Sequence, residues 1–311
     1  MTGRRVTLRD VAEASGVSRA TASFVLNNAP GQTISPATRE RVERAAARLG
    51  YVPNGIARAL REGASRVVVL NISSGLEGNY SRSFIHGLDD ELARHEHMLL
   101  VQHQDMTPVT RQQVLDLIHP REVIQFAGRY LSGYDVDTLD EAEWEHGFAG
   151  HQATQVRHLA ERGHRQIAMA VPTDSPPLSE LRFAMASEAV RRLGLPALRR
   201  LRLDESTREA SAVSLRHFRD AAPEVTAIAG FLDDTALRVV KAALDLRLRV
   251  PDDLAVIGYD ATAYATLTTP SLTTVLIDAE AHGRQAAREI LGRATGDLDP
   301  QLARIVLGAT T

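Results

Sequence analysis

The chain has 311 residues, of which 44% are hydrophobic, a formal net charge of -3 and no cysteine. That length leaves room for more than one domain and a sizeable core, while the missing cysteines exclude disulfides, thiolate catalysis and Cys-ligated zinc. Residues 1–63 carry ten arginines against five acids, so a basic head precedes an acidic body, the distribution expected where only the head meets a polyanion.

Val6 to Asn27, VTLRDVAEASGVSRATASFVLN, reads as two short helices joined by a tight turn. Thr7 caps the first, with Asp10 in the reciprocal position of a capping box. Leu8, Val11 and Ala12 share an apolar face, and Ser15-Gly16-Val17 breaks the helix at a glycine suited to an unusual backbone angle. Ser18 caps the second helix, which turns Ala22, Val25 and Leu26 inward. Arg19, Ala20, Thr21, Ser23 and Phe24 are left facing outward. A short helix offering Arg, Thr and Ser suits a DNA major groove, where hydroxyls and amides meet phosphates and one or two residues read base edges. The plain alternative is a helical hairpin packed on the rest of the protein. Ser35-Pro36 starts a third helix, striped by Val42, Ala45, Ala46 and Leu49 and ended by Gly50. Asn54 caps a further run, GIARALREG, about two turns long and too short to persist alone in water. Its Ile56, Ala57 and Leu60 form a face that either docks on the next domain or, as a hinge, drives Leu60 between base steps from the minor groove.

The segments VTLRDVAEASGVSRATASFVLN, SPATRERVERAAARLGYVPN and ARAL resemble the head of the lactose-repressor (LacI/GalR) family of bacterial transcription regulators. The resemblance is dense over residues 6–62. It implies DNA contacts by Thr7, Ser18, Arg19, Ala20, Thr21, Ser23, Phe24, Asn27, Asn54, Ala57 and Leu60. Arg19, Ala20 and Phe24 stand where operator preference is set, and Leu60 where a palindromic operator is kinked. Phe24 occupies a position that is more often polar or basic. It donates no hydrogen bond, so its base preference is expected to come from thymine methyls.

From Arg66 the pattern changes to strands alternating with helices. RVVVLNIS, MLLVQ and EVIQFA read as strands, with helices around Phe84–Leu92 and in RQQVLDLI between them. This order predicts a doubly wound parallel sheet with ligands at the loops after Ile72, Val101 and Phe126. Residues 127–150 are polar and give no clear strand. A second lobe comes next: a helix through VRHLAERG, strands at QIAMAV, VTAIAGFL and DLAVIGYD, helices in LRFAMASEAVRRLGL and DDTALRVVKAALDLRL, an extended SLTTVLID and a helix in HGRQAAREILG. Phosphate loops, nucleophile elbows and HExxH spacing are missing, so no enzyme, cofactor or metal site is expected. His95, His97 and His103 lack the supporting acids of a metal centre.

The body resembles the same family through HLAERGHRQIA, the run from TAIAGFLDDTAL to LRVPDDLAVIGYD, and TPSLTTV. The fold expected is α/β: a three-helix helix-turn-helix head, a hinge helix, then a two-lobed, doubly wound domain like the periplasmic binding proteins. The expected boundaries are 1–53, 54–64 and 65–311. By motif, Arg182, Asp233 and Asp260 carry over as effector contacts, with Tyr80 near an aromatic of the first lobe. On the residues alone, Asp233 could instead cap a helix, Asp260 shape a turn and Arg182 sit solvated. The chain departs from the family in two ways. Residues 127–150 are too few for the usual extra helix and strand, so the first lobe reads as shortened. Gly147 and Gln152 fall where an aspartate and a glycine are usual, and Leu232 replaces an asparagine.

The function these features imply is a cytoplasmic, homodimeric transcription regulator, a repressor gripping a palindromic double-stranded DNA operator, with affinity tuned by a small polar, sugar-like effector. An alternative keeps the DNA role but has a degenerate pocket and no ligand. A more distant one, a solute receptor, conflicts with the basic head and with a start, MTGRRVTLRD, that has no apolar run behind its arginines. No stretch reaches the ~20 apolar residues of a membrane span.

Overall fold

The computed structural model describes residues 6–26, 33–51, 65–72, 78–103, 107–126, 135–141, 144, 147–173, 177–296, 298 and 302–311. The chain divides into two compact units, one of Met1–Arg66 with Leu115–Arg121, the other of Val67–Val114 with Glu122–Thr311.

The first unit contains α1 (Leu8–Ser15), α2 (Arg19–Leu26) and α3 (Pro36–Leu49). Its helix ends depend on side chains that satisfy free backbone amides. Thr7 and Asp10 form the reciprocal box, with the Thr7 amide donating to Asp10 at 2.7 Å. The Thr21 amide donates to Ser18 Oγ at 3.0 Å, and Ser35 caps α3 ahead of Pro36. Gly16 ends α1 at φ 64°, a left-handed angle that costs glycine little. Val11, Ala12, Ala22, Val25, Val42, Ala45 and Ala46 make the core, with Leu8, Leu26 and Leu49 partly buried against it. Arg41 Nε donates to the Ser15 carbonyl at 3.0 Å, tying α3 to the end of α1.

The second unit has two lobes. In the first, β1 (Val67–Ile72), β2 (Met98–His103) and β3 (Glu122–Gln125) form a parallel sheet of order β2-β1-β3. They alternate with α4 (Asn79–Arg94) and α5 (Pro108–Ile118). Three strands of this lobe lie among the described residues. Beyond β3 the chain joins the second lobe: Val136 and Leu139, around a 3-10 turn at Val136–Thr138, and Trp144 pack into that lobe's core.

The second lobe's regular elements begin at α6 (Phe148–Glu161) and continue β4 (Ile167–Pro172), α7 (Pro177–Arg192), β5 (Arg199–Leu203), α8 (Arg208–Ala221), β6 (Ala227–Gly230), α9 (Asp233–Asp245) and β7 (Ala255–Ile257). Its sheet is parallel, in the order β5-β4-β6-β7. The near-continuous apolar run of β4 is what a strand buried on both faces requires. Ile167, Met169 and Val171 join one core cluster, while Ala168 and Ala170 join the opposite one. A small antiparallel pair comes last in the lobe, β8 (Thr274–Leu276) with β9 (Arg304–Val306).

Chain order and spatial order part at α10 (Ala279–Ile290). This late helix returns to the first lobe, where Ala287 joins Val68, Leu70, Ile72, Leu88, Leu92 and Phe126 in the core. Its backbone lies directly on α4: a Cβ built on Gly87 would fall 2.0 Å from the Glu280 carbonyl oxygen, and one on Gly283 2.1 Å from that of Phe84. Glu91, 1% exposed, is bound across this contact by Arg288 Nε at 2.6 Å.

Sequence reasoning omits β5, α8 and β9 and starts α6 late. The RRLRL of β5 alternates arginine with leucine on an edge strand, and Leu201 and Leu203 alone turn inward. Among the described residues no helix is long and apolar enough to cross a membrane.

Candidate nucleic-acid interface and effector cleft

In the first unit, Arg19 and Ala20 are exposed, whereas Thr21, Ser23 and Phe24 are half-buried. The outward face of α2 is therefore narrower than periodicity suggests. Ser18 and Thr21 also share a hydroxyl contact of 2.8 Å, and the Thr7 hydroxyl donates to Asp10 at 2.7 Å. These capping groups are ordered by the helix ends themselves. Asn27, Asn54, Ala57 and Leu60 lie outside the described residues.

In the second unit, Tyr80, Arg182, Asp233 and Asp260 converge where the two lobes meet. Arg182 is 2% exposed, which removes the solvated alternative. Its guanidinium lies 3.6 Å from the ring centre of Tyr259 and 4.8 Å from that of Phe231, a desolvated cation on two aromatic faces. Nε donates to Gln152 Oε1 at 2.8 Å, Nη1 donates to the Phe231 carbonyl, and Nη2 is buried without a hydrogen-bond partner among the described residues. Burial lowers its pKa to about 10, so the cation persists at neutral pH.

Gln152 passes the connection on. Its amide donates to Gln155 at 2.8 Å, and Gln155 Nε2 reaches the carbonyls of Gly230 at 2.9 Å and Gly258 at 3.0 Å. Two glutamines on α6 thereby brace Arg182 against the ends of β6 and β7. Sequence reasoning marks Gln152 only as a departure from the family and passes over Gln155.

Both aspartates are engaged within the chain. Asp233 is fully buried; it accepts from the Thr262 amide and hydroxyl, each at 2.7 Å, and from the Thr274 hydroxyl at 2.5 Å. It is not the cap of α9, a position held by Leu232. Asp260 sits at φ 111° and accepts the amides of Asn79 at 2.6 Å and Tyr80 at 2.5 Å. Burial raises its pKa to about 7 against the opposing pull of those two donors.

The first-lobe side is aromatic. Tyr80 stacks near Phe84, and both approach Phe126. Tyr80 Oη lies 3.3 Å from His282 Nδ1, and His282 in turn stacks on His151 of α6, with ring centres 5.3 Å apart. Asn79, His151 and His282 carry no signal in the sequence, because each acquires its neighbours only when distant helices pack. No group of three metal-ligating side chains is assembled among the described residues. His97 Nδ1 lies 2.7 Å from the His95 carbonyl instead.

Residues 7–54 match the model for bacterial regulatory proteins of the lacI family, and residues 156–310 that for a periplasmic binding protein-like domain. The HTH-type transcriptional regulator CelR of Thermobifida fusca is 32% identical over 326 aligned positions, covering 94% of this chain and 93% of that protein. This chain belongs to the LacI family. It is a DNA-binding transcriptional regulator, and the relatives it matches are regulators rather than enzymes. Other relatives of this LacI-family chain include the HTH-type transcriptional repressor CytR of Escherichia coli K12, 26% identical with 93% and 90% coverage. Among solved structures, the Lac repressor dimer bound to operator and the anti-inducer ONPF superposes with a TM-score of 0.75 at 24% identity, covering 99% of each chain. A CelR–cellobiose complex gives 0.61 at 23%, covering 99% of this chain and all of that one. Both share the fold.

Proposed function

We propose that this regulator is a cytoplasmic repressor that grips an inverted-repeat operator as a homodimer and loosens or tightens that grip when a sugar-like molecule enters between the lobes. The boundaries that go with this reading are a head at 1–53, a hinge at 54–64 and a body at 65–311. The carrying observation is the capped helix α2, which leaves Arg19 and Ala20 outward on a unit matching the lacI family model. A recognition helix fixed at its N-terminus by Ser18 keeps these side chains in register with base edges. Thr7, Thr21 and Ser23 then face phosphate, and Asn27, Asn54, Ala57 and Leu60 complete the DNA contacts. The repressor name of CytR and the operator in the Lac repressor structure support this reading.

Selection of genomic fragments bound by the full chain is expected to recover a palindrome. Two heads related by a two-fold axis read inverted half-sites, so the fragments carry the symmetry of the protein. The Phe24→Ala variant, run through the same selection, should lose preference for thymine at one position per half-site, because the phenyl ring discriminates by contact with the methyl group. An unchanged recovered sequence would remove Phe24 from base reading.

For the effector, Arg182 is the group with a donor still to offer, and cellobiose is the first probe because CelR has been seen with it. A second reading, regulation with no small molecule, is favoured by the internal engagement of Asp233 and Asp260. Thermal melting against cellobiose and a panel of sugars and nucleosides separates them. A ligand stabilises the state it binds, by ~2.7 kcal/mol at a hundredfold excess over Kd, whereas the second reading expects no shift from any compound.

A further inference from the structure

The loop after β7 belongs to the second lobe, yet its carboxylate closes the first turn of a first-lobe helix. Asp260, 4% exposed, accepts the Asn79 and Tyr80 amides at the start of α4. Asn79 answers through its side chain, donating to the carbonyls of Asp260 at 3.0 Å and Ala261 at 3.3 Å. Four hydrogen bonds thus cross between lobes at one point. The fit depends on the residue before the helix: a Cβ on Gly78 would lie 2.4 Å from Asp260 Oδ2. Asp260 and Ala261 both hold positive φ, 111° and 47°, a conformation that non-glycine residues keep only when their surroundings impose it.

We propose that Asp260 is a clasp in cis, joining the two lobes, and that an effector acts by prising this clasp open. The residue that family resemblance marks as a ligand contact has committed its lone pairs to the chain itself. A ligand gains access to Asp260 only by supplying partners to the Asn79 and Tyr80 amides in its place. The clasped regulator therefore holds one lobe arrangement rather than sampling many, and the effector selects the other. Asp260 and Gly78 are positioning residues here, acting through the lobe contact.

The absence of native cysteines allows a direct test on the full chain. Met98→Cys on β2 and Val213→Cys on α8, at positions 67% and 45% exposed, place one spin label on each lobe. The unliganded protein should give one narrow interlabel distance and strong exchange protection of the Asn79 and Tyr80 amides. Gly78→Ala and Asp260→Asn should each broaden and lengthen the distance. Both should also speed exchange of those two amides by tenfold or more, while the amides of β1 and β4 keep their protection. Unprotected Asn79 and Tyr80 amides in the unsubstituted chain, or an unchanged distance in both variants, overturns the clasp. If a variant loses protection throughout β1 and β4 it has unfolded, and protection in the unsubstituted chain then decides. None of these readouts requires an operator, so a failed DNA selection and a failed clasp are separate results.

Discussion

Replacing Arg182 with alanine is expected to destabilise the larger unit by about 3–5 kcal/mol, the scale of stranding two buried acceptors and opening a cavity together. Three losses combine. The Gln152 amide oxygen and the Phe231 carbonyl lose their donors while remaining buried, and each stranded acceptor costs ~1–3 kcal/mol. The faces of Tyr259 and Phe231 lose the cation. A cavity also opens in a site that glutamines and strand ends hold in shape. Arg182→Met retains most of the volume and removes the desolvated charge, so its cost should be roughly half as large. Urea denaturation followed by circular dichroism reads both. If neither variant loses more than about 1 kcal/mol, Arg182 is not a structural anchor, and its burial serves ligand contact alone.

The second large effect is a pH dependence centred on His151. Its ring is 4% exposed, and burial, reinforced by the neighbouring His282, lowers its pKa to about 4. The unfolded chain takes up this proton near pH 6.5. The native state thus excludes a proton that the unfolded state binds, and the stability this confers is fully present above 6.5 and lost as pH falls toward 4. Across that window the loss amounts to about 3 kcal/mol, at 1.36 kcal/mol per pKa unit. Asp260 works the other way. With its pKa raised to about 7, its native form is favoured below the unfolded carboxylate value and loses that advantage as pH rises through 7. The two profiles oppose each other between pH 4 and 7, so the unsubstituted protein conceals both. The difference between it and His151→Phe should fall steadily with acidification, and the difference from Asp260→Asn should change with the opposite slope. A flat His151→Phe difference from pH 7 to 4.5 would mean that the ring is hydrated in solution.

The features legible in the sequence are those written locally. Thr7 and Asp10, Ser18, and Ser35 with Pro36 are cap signals three or four residues across, and each appears in the structure as a hydrogen-bonded cap. Short apolar runs mark the parallel strands of both lobes. β5 escapes because arginines occupy its solvent side, leaving too few apolar residues to show a period. The cleft is harder for a different reason. Asp260 and its partners Asn79 and Tyr80 are 181 and 180 residues apart, and Gln155 meets the end of β7 across 103. No local rule pairs residues so distant. Motif resemblance points to Arg182, Asp233 and Asp260, but not to the contacts within the chain that engage them.

The return of α10 to the first lobe has a consequence for synthesis. A ribosome releases β1, α4, β2, α5 and β3 long before it makes the helix whose Ala287 completes their core. Until residues 279–290 emerge, that core lacks Ala287 and nothing lies over Gly87 of α4. The second lobe waits as well, for Val275 and Ile277 in its core and for the Thr310 carbonyl that accepts the Val256 amide. Released fragments ending at position 260 should therefore be cut by protease in both lobes, where the full chain resists.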